Sequence, residues 1–310
     1  FNKLLEKVLI MSDSKLSFDD QIKWLKHHKV DVENEVEAQN YLKYTSYFYK
    51  MISFVKVFNN EGQCIDSFDM LIDVSTLDME LRYCLLKVCL DIEHAIKTYL
   101  LRIITNDPDE DGYHIVQEVI NRDENPEGFK RKLFSSVSHY DTNGNFIISE
   151  EYQRSYANPP IWIIIEISSL GKLRSFVEYL SHKRPNNKTL QQLRESFKYI
   201  NRLRNSCAHN RVLFNKNALV SMNESVPHNI YSLLRSDNLT RCEIFTPLLL
   251  QISLALRIHK VMCSSKSYQH KIDDLNEWCT RMQRNRDLYK DNAISNLFKS
   301  ICKSITIYSN

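Results

Sequence analysis

Residues 75–103 read STLDMELRYCLLKVCLDIEHAIKTYLLRI. Leu77, Leu81, Leu85, Val88, Ile92, Ala95, Tyr99 and Ile103 recur every three or four positions, the interval that lays one apolar stripe along an α-helix. Ser75-x-x-Asp78 predicts the start of that helix, because a short polar side chain can accept from the first free backbone N–H groups. Asp107-Pro108 predicts its end, since the residue before a proline is pushed out of the helical region.

The same period recurs on both sides. Ser17-x-x-Asp20 predicts a cap for a short helix bearing Ile22, Trp24 and Leu25. Asn34-x-x-Glu37 predicts a second helix with Tyr41, Leu42, Thr45, Phe48, Ile52 and Val55 at helical spacing. Downstream, Asn125-Pro126-Glu127-Gly128 and Asp141-Thr142-Asn143-Gly144-Asn145 read as turn clusters. The second lacks the spaced oxygen ligands and closing glutamate of a calcium loop. After Pro159-Pro160 a helix carries Trp162, Ile163, Ile165 and Glu166, and Lys172 to Leu180 continues helical. Thr189 to about His209 forms the next helix, and Phe245–Met262, Ile272–Tyr289 and Asn292–Ile307 give three more. No run alternates with period two over a convincing length, and no fixed-period repeat occurs. Only five glycines stand in 310 residues, which argues against Gly-rich phosphate loops. The expectation is an all-α, multi-helix bundle in three segments: 1–74 packed on the core, 75–265 as the core, and 266–310 as C-terminal helices.

Hydrophobic residues make up 43% of the chain and charged residues 25%, a composition that buries a core and excludes disordered or fibrous classes. The eight cysteines form no C-x-x-C pair, so the common zinc and thioredoxin signatures are missing and a reducing compartment is expected. No apolar run approaches the ~18 residues a membrane span needs. A cytoplasmic protein without metal or cofactor is expected. The chain opens at Phe1 without a methionine, and a few residues are expected to be missing or processed.

Net charge is only +3, yet it is unevenly placed. From Lys172 to Lys216 eleven Lys or Arg face two acids, Glu178 and Glu195; from Asn106 to Glu127 eight acids face the single Arg122. A polyanion is attracted to the first segment and repelled by the second. Within the basic run lies Asn201-Arg202-Leu203-Arg204-Asn205-Ser206-Cys207-Ala208-His209-Asn210-Arg211. Helical spacing puts Asn205 and His209 one turn apart on one face, with Arg204 beside it. Imidazole moves protons near neutral pH, and a guanidinium grips phosphate with two bonds. Arg204, His209 and Asn205 are therefore candidates for metal-independent RNA cleavage: histidine takes the 2′-hydroxyl proton and arginine offsets transition-state charge. Arg202, Arg211, Asn210, Lys198, Arg194, Lys183, Arg184, Lys172 and Arg174 are candidate RNA contacts. Glu166, on an apolar helix, is a candidate supporting ion-pair partner for a motif arginine. One histidine supplies one proton carrier where in-line cleavage uses two, so a homodimer with a composite site is expected. The same residues also suit a helix-end cap with salt bridges, and spacing alone leaves both readings open. An Arg204 locked in an internal pair, with His209 in a dry interior, would end the nuclease reading. Tyr44, Tyr47 and Tyr49 suit either base stacking or a helical core stripe.

Three blocks carry a family resemblance. Gln21-Ile22 with Leu25, followed by Tyr41-Leu42 and Tyr47-Phe48-Tyr49, resembles the opening of the Abi-like AbiD/AbiF abortive-infection family. Pro160-Ile161-Trp162 with Glu166, Ser169 and Gly171 is similar to that family's "P-x-W-x-x-x-E-x-x-S-x-G" block. Arg204-Asn205-Ser206-Cys207-Ala208-His209 is similar to its "R-N-x-x-A-H" signature. The resemblance covers roughly residues 16 to 216, and the last ninety or so match no motif. It implies a HEPN-superfamily helical fold, a phage-defence or toxin-like role and an Arg-x4-His ribonuclease site at Arg204 and His209. It also implies a small noncoding RNA partner acting as antitoxin, alongside a cellular or phage RNA substrate. Asn210 departs from a histidine common in relatives, and Phe214 from a tryptophan. An endoribonuclease, a non-catalytic RNA binder and a helical interaction protein without RNA all remain as readings.

Overall fold

The computed structural model describes residues 15–60, 65–215, 218, 221, 225–289 and 293–309. Cys64, Lys216 and the expected helix start at Asn292 lie outside them. The chain is all-α apart from one small hairpin, as its sequence predicts. Three helices come first: α1 (Phe18–His27), α2 (Glu35–Tyr44) and α3 (Phe48–Asn60). Ser17 and Asn34 cap the first two by accepting from Asp20 N and Glu37 N. The second expected helix is in fact two, broken at Thr45–Tyr47, so its single stripe is shared between α2 and α3.

The long helix, α4 (Phe68–Thr105), has 38 residues and spans about 57 Å at 1.5 Å per residue. No glycine or proline interrupts it. Its cap is Ser67, which accepts from Met70 N, and not Ser75, which lies 5% exposed inside the helix. The boundary expected at 74/75 falls within this element. The stripe at Leu77, Leu81, Leu85, Val88 and Ile92 is buried, then drifts to Ile96, Leu100 and Ile104.

Next come α5 (His114–Asn121) and α6 (Pro126–Leu133). The expected turn at 125–128 is the start of α6: Asn125 accepts from Gly128 N and Pro126 occupies the first turn, where its missing N–H costs nothing. Strands β1 (Ser138–Tyr140) and β2 (Phe146–Ile148) pair antiparallel around the Asp141–Asn145 turn. Three residues per strand are too few for a period-two signal. Beyond them lie α7 (Gln153–Ala157), α8 (Ile161–Ile167), α9 (Leu170–Lys183) and α10 (Lys188–Ala208). Trp162 of α8 lies over Gly112, where a Cβ would stand 2.7 Å from its Cζ3, and Gly112 has φ +79.

The rest is α11 (His228–Ser236), α12 (Arg241–Phe245), α13 (Pro247–Met262), α14 (Ser265–Arg284) and α15 (Ala293–Ser309). Helices α4, α10 and α13 pack on one another as the centre of the bundle, with α9 outside α10 and α14 and α15 closing the other side. Buried Asp73 of α4 fastens the C-terminal part: it accepts from Arg281 (2.9 Å), Asn285 (2.8 Å) and Tyr289 (2.5 Å). No described helix is long and apolar enough to cross a membrane.

Candidate functional site

Helix α10 forms because Leu190, Leu193, Phe197, Ile200 and Leu203 recur on one buried face and Asn187 caps it, accepting from Leu190 N. Tyr99 of α4 donates to the same Asn187 carbonyl at 2.9 Å, which ties the cap to the long helix. At 100° per residue, Arg194, Lys198, Arg202, Asn205 and His209 share an arc of about 80° on this helix. Arg202 and His209 are exposed; Arg194, Lys198 and Asn205 are partly exposed. Arg194, Arg202 and Arg211 make no ion pair among the described residues, and Lys198 lies over the Tyr199 ring at 4.8 Å. A cationic face therefore leads to His209.

His209 is the C-cap, with φ −94 and ψ 18. Its N–H donates to Asn205 O at 3.0 Å, and its ring finds no partner among the described residues. Asn210 follows in the left-handed region at φ 55. Asn210 N donates to Cys207 O at 3.4 Å and Arg211 N to Ser206 O at 2.9 Å. Those two bonds are the Schellman closure, in which a residue at positive φ ends the helix. Asparagine tolerates that conformation better than most side chains, a local reason for its presence at this position.

The turn is held from beneath by groups that motif reading missed. Asp78 and Arg82, 0% and 1% exposed, form an i,i+4 pair on α4 at 2.9 Å. The other Asp78 oxygen accepts from Leu213 N (2.7 Å) and Phe214 N (3.0 Å), while Arg82 Nη1 donates to Asn210 Oδ1. Lys50 Nζ stands 3.5 Å from the same Asn210 oxygen. Burial pushes the Asp78 carboxyl up against the pull of these donors, and burial together with the Arg82 charge brings the Lys50 amine down. The available signal was an acid and an arginine one turn apart on an otherwise apolar stripe. The Ser75-x-x-Asp78 spacing, which predicts a cap, masks that signal.

Arg204 points elsewhere. Five residues of helix separate it from His209 by about 140° around the axis. Its Nε lies 3.6 Å from Glu93 Oε2 of α4, and both atoms are buried without a hydrogen bond. Its Nη1 reaches Asn205 Oδ1 at 3.5 Å. Within one chain Arg204 thus leaves α10 on a different side from His209, and its contact with Asn205 is the link back to the His209 arc. Glu93, and not Glu166, is the carboxylate beside the motif: Glu166 is exposed, because it faces outward from α8, and only its carbonyl is engaged, by Lys97 Nζ at 3.3 Å. Glu93 and Lys97, one turn apart on α4, thus face different partners.

The other basic candidates divide by position. Lys183 pairs with Glu110 at 2.5 Å and Arg184 with Asp107, so the acidic run neutralises this end of the basic one. They precede α10, whose 21 residues carry the chain about 30 Å to His209. Arg174 pairs with Glu178 at 2.7 Å, and half-buried Lys172 donates to Leu133 O at 3.0 Å. Gly171 faces Asn201, whose Oδ1 would be 3.5 Å from an added Cβ. Arg281 is spent internally on Asp73. Cys207, inside the motif, is buried, and that burial pushes its thiol up to about 12, away from the reactive thiolate. Among the described residues no group of three or more His, Cys, Asp or Glu is placed to hold a metal ion.

A family model described as Abi-like protein matches residues 34–215, from the cap of α2 through the turn that follows α10. No curated protein and no solved structure matches the chain.

Proposed function

Because the chain belongs to the Abi-like family, whose role is abortive infection, we propose that it is a HEPN-type endoribonuclease toxin that cuts RNA without a metal and is restrained by a small noncoding RNA. The observation that carries this reading is His209: exposed, without a side-chain partner among the described residues, and placed where the cationic face of α10 ends. RNA phosphates lie along Arg194, Lys198 and Arg202 and arrive at an imidazole. His209 takes the proton from a ribose 2′-hydroxyl, and the 2′-oxygen attacks the adjacent phosphorus. The P–O5′ bond breaks and the leaving oxygen takes a proton from a general acid, giving a 2′,3′-cyclic phosphate and a 5′-hydroxyl. Arg204 offsets the charge on the equatorial oxygens.

The second proton carrier comes from a second copy. Tyr83 and Leu90 on α4 are 56% and 49% exposed, with Leu86 between them partly exposed. This strip runs up to Glu93 and hence to Arg204. Covering it by the same strip of another chain about a two-fold axis removes apolar surface from water and brings two motifs to one phosphate.

A second reading is RNA binding without cleavage, favoured by the Glu93 carboxylate 3.6 Å from Arg204 Nε. One experiment decides between them. Purified protein in excess chelator is given end-labelled RNA, and the products are tested for cyclic-phosphate termini across a dilution series. Cleavage that falls with dilution, is lost in His209→Ala and leaves RNA binding intact establishes the dimeric nuclease. Binding with no cleavage at any concentration establishes the second reading, and undiminished specific activity of a monomer removes the composite site.

A further inference from the structure

Tyr44, Tyr47 and Tyr49 are 85%, 56% and 54% exposed, flanking the bend between α2 and α3. Three large aromatic side chains within six residues, all turned to solvent, are not core, and they are more than scattered surface apolar residues. Their neighbourhood is cationic. From Ala38 to Asn60 the chain carries Lys43, Lys50 and Lys56 and no Asp or Glu; Lys43 is exposed and Lys56 partly exposed, and these two face the solvent beside the rings, while Lys50 is buried. The bend also lies against the motif. Lys50 follows Tyr49, and its N–H donates to Tyr47 O at 3.0 Å. The Lys50 ammonium then reaches Asn210, the residue after His209, at 3.5 Å.

We infer that Tyr44, Tyr47 and Tyr49 form a stacking platform for unpaired RNA bases, which admits a single strand to the Arg204–His209 site. This rests on the function proposed above and adds the substrate class to it. Exposed aromatic rings interleaved with lysines are what sequence-tolerant single-strand binding uses: rings take the π-faces of successive bases, and ammonium groups track the phosphates. A duplex cannot use such a platform, because its bases are already stacked on one another. A second copy of the chain fits less well, since lysine is depleted in protein–protein interfaces.

The test is binding of a labelled 2′-O-methyl oligouridylate of about 15 nucleotides and of a duplex of equal length, by the intact chain. The 2′-O-methyl group removes the attacking oxygen, so the probe survives any cleavage. Tyr47→Ala/Tyr49→Ala, which removes two rings, is expected to lose at least about 30-fold in single-strand affinity, the scale of lost base stacking. Its salt dependence stays unchanged, because no phosphate contact is removed. Tyr47→Phe/Tyr49→Phe, which keeps the rings, is expected to bind as the parent does. Duplex affinity is expected to be the same in all three. Equal single-strand affinity in parent and alanine variant overturns the platform and leaves the RNA reading standing. A change in sedimentation with equal RNA affinity assigns the tyrosines to a protein interface and likewise overturns it. A parent protein that binds neither probe overturns the RNA reading and the platform with it.

Discussion

Arg204 Nε lies 3.6 Å from Glu93 Oε2 across the packing of α10 on α4, with neither atom otherwise hydrogen-bonded. The carboxylate holds the guanidinium in place without satisfying it, since a partly buried donor left unpaired costs about 1–3 kcal/mol. Nε itself is buried, so a phosphate oxygen meets the guanidinium only at the exposed part of the side chain, which is 23% exposed. Glu93 also repels that phosphate. Glu93→Gln is therefore expected to raise RNA affinity several-fold. Arg204→Ala is expected to lower it and to reduce the slope of log affinity against log salt by about one. Fluorescence anisotropy across a salt series measures both; a fall in affinity for Glu93→Gln would show that the carboxylate aids binding by orienting the arginine.

Asp78 and Arg82 form a buried pair whose members also serve the turn after the motif. Removing either leaves the other charged and buried. Asp78→Ala and Arg82→Ala are each expected to cost about 3–5 kcal/mol in urea unfolding. The double variant is expected to lose less than the sum, because the two residues share their interaction. Strict additivity would mean that the pair is not coupled.

Asn210 combines a left-handed backbone with an acceptor for Arg82. Glycine keeps the backbone and loses the acceptor. Alanine loses the acceptor and adds about 1–2 kcal/mol for a Cβ in that conformation. Thermal melting is expected to rank the parent above Asn210→Gly and Asn210→Ala last. If alanine matched glycine, helix closure at this point would owe nothing to tolerance of positive φ.

His259, on α13, is fully buried; Nε2 meets Asp91 at 3.1 Å and Nδ1 has no partner. Desolvation brings its pKa below the ordinary 6.5, against the pull of Asp91. Burial lowers His28 as well. Folded-state values below the unfolded ones mean that the unfolded chain binds more protons on acidification. The contribution is complete above pH 6.5 and is lost as pH falls through the lowered folded-state value. The melting temperature is expected to drop on acidification through this window, less steeply in His259→Gln, with His28 supplying the remainder. An unchanged slope in that variant would rule out His259 as a source.

Arg204 and His209 could be named as candidates because the motif is local, a fixed spacing of residue types along one helix. The all-α class was legible for a similar reason, since period 3.6 and side-chain caps such as Ser17 and Asn34 act within a few residues. Even there, polar positions misled. Ser75 and Asp78 have the letters of a cap, yet both are buried within α4, where the Arg82 guanidinium and two backbone N–H groups compensate the Asp78 carboxylate.

Sequence by itself determined the helical class and the order of the helices, and it named the candidate groups for moving a proton or holding a phosphate. Tertiary structure alone decided which carboxylate meets Arg204, which of the lysines and arginines are consumed by Glu110, Asp107 and Asp73, and that Tyr44, Tyr47 and Tyr49 face solvent. The physical reason is range. Helical period and capping are set by neighbours along the chain, whereas charge pairing and burial are set by residues such as Glu93 and Asn210 that meet only when distant helices pack.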